Sequence, residues 1–181
     1  PFVDPEIVLL IINSNVRHKL TGGEYAERRG QCEYASERLG VAALRDATLE
    51  QLELMRGQMD SVLYRRVRHV IGENKRTLQA ADAIKEGDWP LCGDLMQASH
   101  ASLRDDFEVS CKELDLLVEL VTGLGEEHGV FGSRMTGGGF GGCTVSLVQQ
   151  SAVSRVADAI YRKYLERTGI KPSMYVSRPA R

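Results

Sequence analysis

Residues 132–143 read GSRMTGGGFGGC, and the rest of the chain is arranged around this stretch. Five of the six residues 137–142 are glycine. Glycine lacks a Cβ atom, so it adopts positive φ at little steric cost and lets the backbone come close to a ligand. Because glycine also loses the most conformational entropy on ordering, such a run is costly unless something uses it. Two uses fit: a cradle of backbone N–H groups for a phosphate or oxyanion, which is favoured, or a hairpin turn between two strands.

The residues that follow the glycines distinguish between the known kinds of phosphate-binding loop. Gly137, Gly139 and Gly142 match G-x-G-x-x-G, which in a dinucleotide-binding unit opens a helix. Here the loop is followed by CTVSLV (143–148), a β-branched run typical of a strand. A protein-kinase glycine loop also joins two strands, but the chain lacks V-A-I-K, H-R-D and D-F-G, and it has no G-x-x-x-x-G-K-[ST]. The sequence therefore predicts a phosphate loop of another kind, set between two strands.

Hydrophobic patterning outward from this hairpin predicts an α+β domain. The apolar run EIVLLIIN (6–13), ended by Ser14 and Asn15, is typical of a buried central strand. Several helices separate it from the hairpin, and a helix over 151–168 and a strand over 174–177 follow. Without the additional helices the order is β-α-β-β-α-β, the ferredoxin-like split βαβ arrangement. We therefore expect an antiparallel sheet with the additional helices on one face.

Capping signals mark where several helices begin. Thr48 with Gln51, and Ser110 with Glu113, have the spacing of a capping box. A long helix predicted from residue 60 or 61 to about Glu86 carries a cluster of basic residues that could form a nucleic-acid-binding surface. A solvated helix face with acidic neighbours is the favoured interpretation. The basic residues are Arg65, Arg66, Arg68, Lys75 and Arg76.

Composition and charge are those of a soluble globular domain: 181 residues, 43% hydrophobic and 27% charged. The net charge of −2 implies no general attraction to nucleic acid or to a membrane. The longest apolar run, residues 7–12, is far shorter than a membrane span. The sequence starts at Pro1 with neither an initiator methionine nor a signal peptide, so we expect it to be a cut from a longer chain.

Cysteine and histidine are scattered rather than clustered. The irregular cysteine spacing, without C-x-x-C, predicts reduced thiols in a cytoplasmic protein. The histidines form neither H-E-x-x-H nor a Cys/His cluster, so we expect no metal site. These residues are Cys32, Cys92, Cys111, Cys143, His18, His69, His100 and His128.

A few polar residues could carry chemistry. Asp105 and Asp106 could hold Mg²⁺ or act as a base, but helix-end charges paired with Arg104 are the favoured interpretation. Arg17 follows the first strand and could face a cleft. Tyr25 follows two glycines at a helix start, where its side chain could project into a pocket or simply pack.

The glycine stretch resembles the third signature motif of the GHMP small-molecule kinases. NSNVRH, EYAERRGQCE, RRVRHVIGENKRT, SLRDDFEVSCKELD and GSRMTGGGFGGCTVSLV together resemble the C-terminal half of the galactokinase branch of that family. The resemblance implies ATP with Mg²⁺, and transfer of the γ-phosphoryl group to the anomeric hydroxyl of D-galactose. It implies that Tyr25 contacts the sugar and that Arg17 supports the active site. It also implies a loop close to the nucleotide phosphates, made of Thr136, Gly137, Gly138, Gly139, Phe140, Gly141 and Gly142.

The family's sugar motif, its serine-rich nucleotide loop and its catalytic aspartate and arginine are not in these residues. We therefore expect residues 1–181 to form the C-terminal domain, with the chain's own N-terminal domain as its partner. No catalytic residue is assigned here, and this chain alone is expected to be inactive. The alternatives are a non-catalytic sugar or nucleotide sensor on the same scaffold and, last, an RNA-binding module.

Overall fold

The computed structural model describes residues 4–17 and 23–178, apart from the side chains of Arg17 and Glu24. The predicted positions His18 and Gly22 lie outside the described residues. The strands are β1 (Ile7–Arg17), β2 (Val130–Thr136), β3 (Gly141–Gln149) and β4 (Ser173–Ser177). The helices are α1 (Glu24–Leu39), α2 (Leu49–Leu54), α3 (Ser61–Glu86), α4 (Trp89–Asp105), α5 (Lys112–Thr122) and α6 (Val153–Thr168).

The four strands form one antiparallel sheet in the order β2-β3-β1-β4. This is the strand order of the split βαβ arrangement, so the predicted fold class is confirmed. Strand β1 lies between β3 and β4, as its unbroken apolar run predicts. The hairpin β2–β3 lies at one edge and presents the glycines at its tip.

Strand β1 runs further than the sequence predicts. It was expected to end at Ser14 and Asn15, but it continues to Arg17, whose backbone pairs with Gly141 after an irregularity in register. Asn15 adopts φ 56°, which asparagine tolerates better than most residues, and its amide donates to the Lys171 carbonyl at 2.8 Å. The strand therefore continues past the irregularity, and its end lies beside Gly141, next to the tip of the glycine hairpin.

Helices α5 and α6 pack against the central strand and form the main core. Residues two apart on β1, Leu10 and Ile12, point into this core because strand side chains alternate between faces. The other fully buried members are Leu117, Val121, Val148, Ile160 and Tyr164. Both helices therefore bury one apolar stripe against the sheet.

Two glycines let α4 approach the edge strand β2 at backbone distance. A Cβ atom on Gly93 would lie 2.0 Å from the carbonyl oxygen of Phe131, and one on Gly132 would lie 2.5 Å from the Gly93 Cα. Any side chain at either position would push helix and strand apart. This contact sets the position of α4 and of the loop that follows it.

The capping signals were right at one helix and wrong at another. Thr48 and Gln51 form both hydrogen bonds of a capping box at the start of α2. Ser110 does not cap α5, which begins at Lys112. Its hydroxyl donates instead to the Asp115 carboxylate at 2.6 Å, a partner that spacing alone does not reveal.

Candidate functional site: a cleft between helix α1 and the glycine hairpin

The tip of the glycine hairpin rests on the loop between α4 and α5. Gly137, Gly139 and Phe140 have positive φ of 85°, 90° and 55°. The N–H of Phe140 donates to the Val109 carbonyl at 2.6 Å. A Cβ atom on Gly139 would lie 2.1 Å from that same oxygen, so only glycine fits there.

A cleft of about 450 Å³ lies between this hairpin and α1. Helix α1 lines it with residues at positions i, i+3, i+4 and i+7, which form one face of a helix. The residues around the cleft are Tyr25, Arg28, Arg29, Cys32, Leu103, Phe107, Val109, Gly137, Gly138 and Phe140. Tyr25 is 82% exposed at its rim, so its ring is open to a ligand.

The residues predicted for the site have different positions around this cleft. Tyr25 lines it together with Gly137, Gly138 and Phe140, whereas Gly139 is turned against Val109. The others flank the tip: Thr136 ends β2, Gly141 and Gly142 begin β3, and the backbone of Arg17 pairs with Gly141. The side chain of Arg17 lies outside the described residues, so its predicted supporting role stays a prediction.

Residues 106–109 form the support on which the hairpin rests, and we term them the 106–109 loop. Three of its backbone carbonyls accept from three different elements. Arg66 of α3 donates to Asp106, Arg28 of α1 donates to Phe107 at 2.9 Å, and the hairpin donates to Val109. The loop therefore joins α3, α1 and the hairpin at one point.

Ion pairs with two arginines of α3 hold this loop in a strained conformation. Glu108 has φ 53°, unusual for a residue with a Cβ atom, and its carboxylate pairs with Arg65 at 2.7 Å and with Arg66. Arg66 is only 2% exposed, so the prediction of a solvated basic face is wrong at this position. The hydrogen bond from Arg66 holds the pKa of Glu108 below its usual value. The basic group on α3 thus serves, in part, to anchor the 106–109 loop.

Both carboxylates of the acidic pair at the end of α4 are paired with arginines. Asp105 pairs with Arg104, as the interpretation favoured from sequence predicts, whereas Asp106 pairs with Arg68 of α3. Asp105 accepts two hydrogen bonds of 2.8 Å from Arg104, which lower its pKa. Asp106 is buried, pairs with Arg68 and accepts from Ser102 at 3.1 Å. Among the described residues there is no group of three or more His, Cys, Asp or Glu side chains that could hold a metal ion.

A buried histidine on α3 packs beneath the same loop. The His69 ring stacks on Phe107 with ring centroids 4.4 Å apart, and its Nδ1 lies 2.9 Å from the Ser102 hydroxyl. Burial lowers the pKa of His69 to about 4 from an ordinary value of 6.5, because an imidazolium would lose its hydration there.

Stability is expected to fall as the pH drops from about 6.5 to about 4, because the unfolded chain then binds a proton at His69 that the folded chain excludes. The loss is at most about 1.4 kcal/mol per pH unit. Urea unfolding of the wild type and of His69→Gln across this range measures it. Carboxylates with lowered pKa act in the same direction in both proteins, so the difference between the curves isolates His69. Parallel curves would contradict the assignment.

A second buried histidine supports the arm of the hairpin. The N–H of Met135 in β2 donates to Nδ1 of His100 at 3.3 Å, and Nε2 lies 3.1 Å from the Asp115 carboxylate. Asp115 also accepts from Ser110, next to Val109. The end of β2 next to the tip and the tip itself are therefore both braced by residues 100–115, which run from α4 through the following loop into α5.

Comparisons with known proteins agree with this fold. Residues 80–167 match the family model described as GHMP kinases C terminal. The structure of Lactococcus lactis galactokinase complexed with galactose matches with a TM-score of 0.90 and 36% identity, over 97% of this chain and 46% of that one. The structure of L. major mevalonate kinase, at 22% identity and TM-score 0.54 over 99% of this chain and 45% of that one, shares the fold. The segment 80–167 therefore belongs to the GHMP kinase C-terminal family, and the chain has the fold of that domain.

Within this class, the sequence is similar to galactokinases. It is 53% identical to galactokinase of Bos taurus over 164 residues, covering 91% of this chain and 41% of the relative. It is 49% identical to galactokinase of Homo sapiens over 180 residues, covering 99% and 44%. The chain thus spans less than half the length of these relatives. The resemblance to the C-terminal part of galactokinases is confirmed.

Several residues of the cleft were missed by sequence reasoning. Arg28 and Cys32 could have been found, because they fall three and seven residues after Tyr25 and so share its face of α1. Leu103, Phe107 and Val109 carried no such signal. They reach the cleft because α4 packs on β2 and its following loop turns back under the hairpin.

Proposed function

We propose that this chain forms the C-terminal part of a galactokinase, which transfers the γ-phosphoryl group of ATP to the anomeric hydroxyl of D-galactose and yields galactose 1-phosphate. One observation supports it most directly. Tyr25, matched to a sugar contact, and Gly137–Gly138, matched to a phosphate loop, line the same cleft. Phosphoryl transfer depends on positioning and charge stabilisation, which such a cleft can supply. The sensor alternative is not favoured, because the similar proteins described above are kinases.

In this proposal the two walls of the cleft have separate roles. The exposed Tyr25 ring offers a hydroxyl and an apolar face to a hexose. The hairpin offers backbone N–H groups to phosphate oxygens at Gly137 and Gly138; the N–H of Phe140 is already held by Val109. Arg17, whose backbone pairs with Gly141 next to the hairpin tip, would support the site. The transition-state charge would be stabilised by such preorganised donors rather than by covalent chemistry.

Magnesium and the catalytic groups are not assigned to the described residues. The described residues contain no cluster of side chains suited to a divalent cation. The carboxylates of Asp105 and Asp106 are already paired with arginines. We propose that the catalytic residues belong to an N-terminal domain, that this chain alone is inactive, and that the protein acts in the cytoplasm. In the described part of the chain, no helix has the length and apolar character needed to cross a bilayer.

The test is galactose-dependent ADP formation by the complete protein, compared with the 181-residue chain alone. We expect turnover from the former and none from the latter. Glucose and a galactose analogue without the anomeric hydroxyl serve as controls. Binding of galactose without ADP formation by the complete protein would contradict the kinase proposal and support the sensor alternative.

Replacing Tyr25 by alanine is expected to raise the KM for galactose about tenfold while the KM for ATP changes little. The ring is exposed, so the melting temperature should be unchanged. Tyr34→Ala is the matched control, since Tyr34 is exposed on the same helix and is not among the residues around the cleft. Steady-state kinetics with each substrate varied in turn decides it, and an unchanged KM for galactose would make Tyr25 an ordinary surface residue.

A further inference from the structure

In the first turns of α1, one described side chain points toward the body of the domain and contacts it. From residue 25 to residue 30 every described side-chain position is exposed except Arg28. The apolar contacts of the helix lie further along, from Cys32 to Leu39, and centre on the buried Ala35, which packs against α3. The end of α1 that carries Tyr25 is therefore held to the body of the domain chiefly through Arg28.

The contacts of Arg28 define the orientation of its guanidinium group. Its side chain is 12% exposed, its Nε donates to the Phe107 carbonyl at 2.9 Å, and one Nη lies 3.3 Å from the carboxylate of Glu27. A guanidinium is planar, so these two partners fix its orientation as well as its position. Arg28 therefore contacts the 106–109 loop at Phe107, two residues before Val109, whose carbonyl accepts the hydrogen bond from the hairpin.

We propose that Arg28 is a positioning residue that sets the width of the cleft by tying the Tyr25 end of α1 to the 106–109 loop. That loop holds the hairpin through Val109 and Phe140. One short path, Arg28 to Phe107 to Val109, therefore connects the wall proposed to contact the sugar with the wall proposed to approach the phosphates. The catalytic consequence rests on the proposed function, whereas the structural one does not.

The test compares Arg28→Ala with Arg28→Lys and with the control Arg38→Ala in the complete protein. Arg38 lies on the same helix and also donates to a backbone carbonyl, that of Gln58, but it is exposed and distant from the cleft. In Arg28→Ala we expect amide hydrogen exchange over residues 25–30 to rise about tenfold, as for the loss of a hydrogen bond from a charged donor. Exchange over residues 137–140 should rise less, and Arg38→Ala should change neither segment.

The kinetic readout separates positioning from general stability. Arg28→Ala should raise the KM for galactose about fivefold or more with little change in melting temperature or in the KM for ATP, and Arg28→Lys, which keeps a positively charged hydrogen-bond donor, should recover part of the loss. Unchanged exchange over residues 25–30 overturns the proposal, as does an equal rise in both KM values with a fall in melting temperature. If the wild-type protein shows no galactose-dependent activity, the proposed function fails, and the exchange experiment still decides the role of Arg28.

Discussion

Alanine at Gly93 is expected to lower the free energy of unfolding by about 3 kcal/mol, near the upper end for an overpacked core position. The added Cβ would lie 2.0 Å from the Phe131 carbonyl oxygen, which belongs to the backbone and cannot rotate away. Helix α4 must then move off β2, and the 106–109 loop moves with it. Loss of stability should therefore be accompanied by loss of the Val109 contact to the hairpin.

The matched control, Gly30→Ala, is expected to change the free energy of unfolding in the opposite direction. Gly30 also lies inside a helix, but a Cβ atom there would meet nothing within 4 Å. Gly30→Ala should raise stability by about 0.5–1 kcal/mol, the ordinary helix-propensity gain. Urea unfolding with a common m-value measures both variants. Equal effects at the two positions would mean that α4 and β2 do not meet at backbone distance.

Valine in the glycine hairpin is expected to lower kcat/KM for phosphoryl transfer at least about tenfold, or about 1.4 kcal/mol in the transition state. The glycine pattern alone gives no reason to distinguish Gly138 from Gly139. The structure separates them. A Cβ atom on Gly139 would strike the Val109 carbonyl at 2.1 Å, and φ there is 90°, so Gly139→Val should also lower the melting temperature.

Gly138→Val is the sharper test of the phosphate cradle. A Cβ atom on Gly138 meets no protein atom within 4 Å, so stability should be unaffected. If a phosphate comes close to this backbone, kcat/KM falls although the protein remains folded. If the stretch is only a turn, Gly138→Val is fully active while Gly139→Val unfolds more readily. Melting temperature and kinetics on the same two variants distinguish these results.

Much of the architecture was predictable because it depends on local patterns. The run of six apolar residues in β1, the helical spacing of Leu114, Leu117 and Val121, and the glycines that end α1 and α3 each carry their own signal. Gly40 and Gly87, with positive φ of 66° and 73°, end those helices, as glycine commonly does at a helix C-terminus. The ferredoxin-like order follows once these elements are placed in sequence.

The site was predictable only in part. Tyr25 and the glycine stretch were matched by resemblance, but their meeting in one cleft was not readable from positions more than one hundred residues apart. The contacts that support these residues were predicted wrongly or not predicted at all. Ser110 looked like a cap and binds Asp115 instead, and Arg66 looked like a surface charge and is buried against the 106–109 loop.

By itself, the sequence determined the type and order of the elements, the strand–turn–strand setting of the glycines and the resemblance to GHMP kinases, because periodicity and motif spacing are properties of neighbouring residues. The tertiary structure alone decided which residues meet. Backbone contact between Gly93 and Gly132 places α4, and α4 delivers the 106–109 loop beneath Gly139. Arginines from α1 and α3 then bind that loop, because its backbone carbonyls need partners once they are withdrawn from water. Arg66 also pairs with the exposed carboxylate of Glu108.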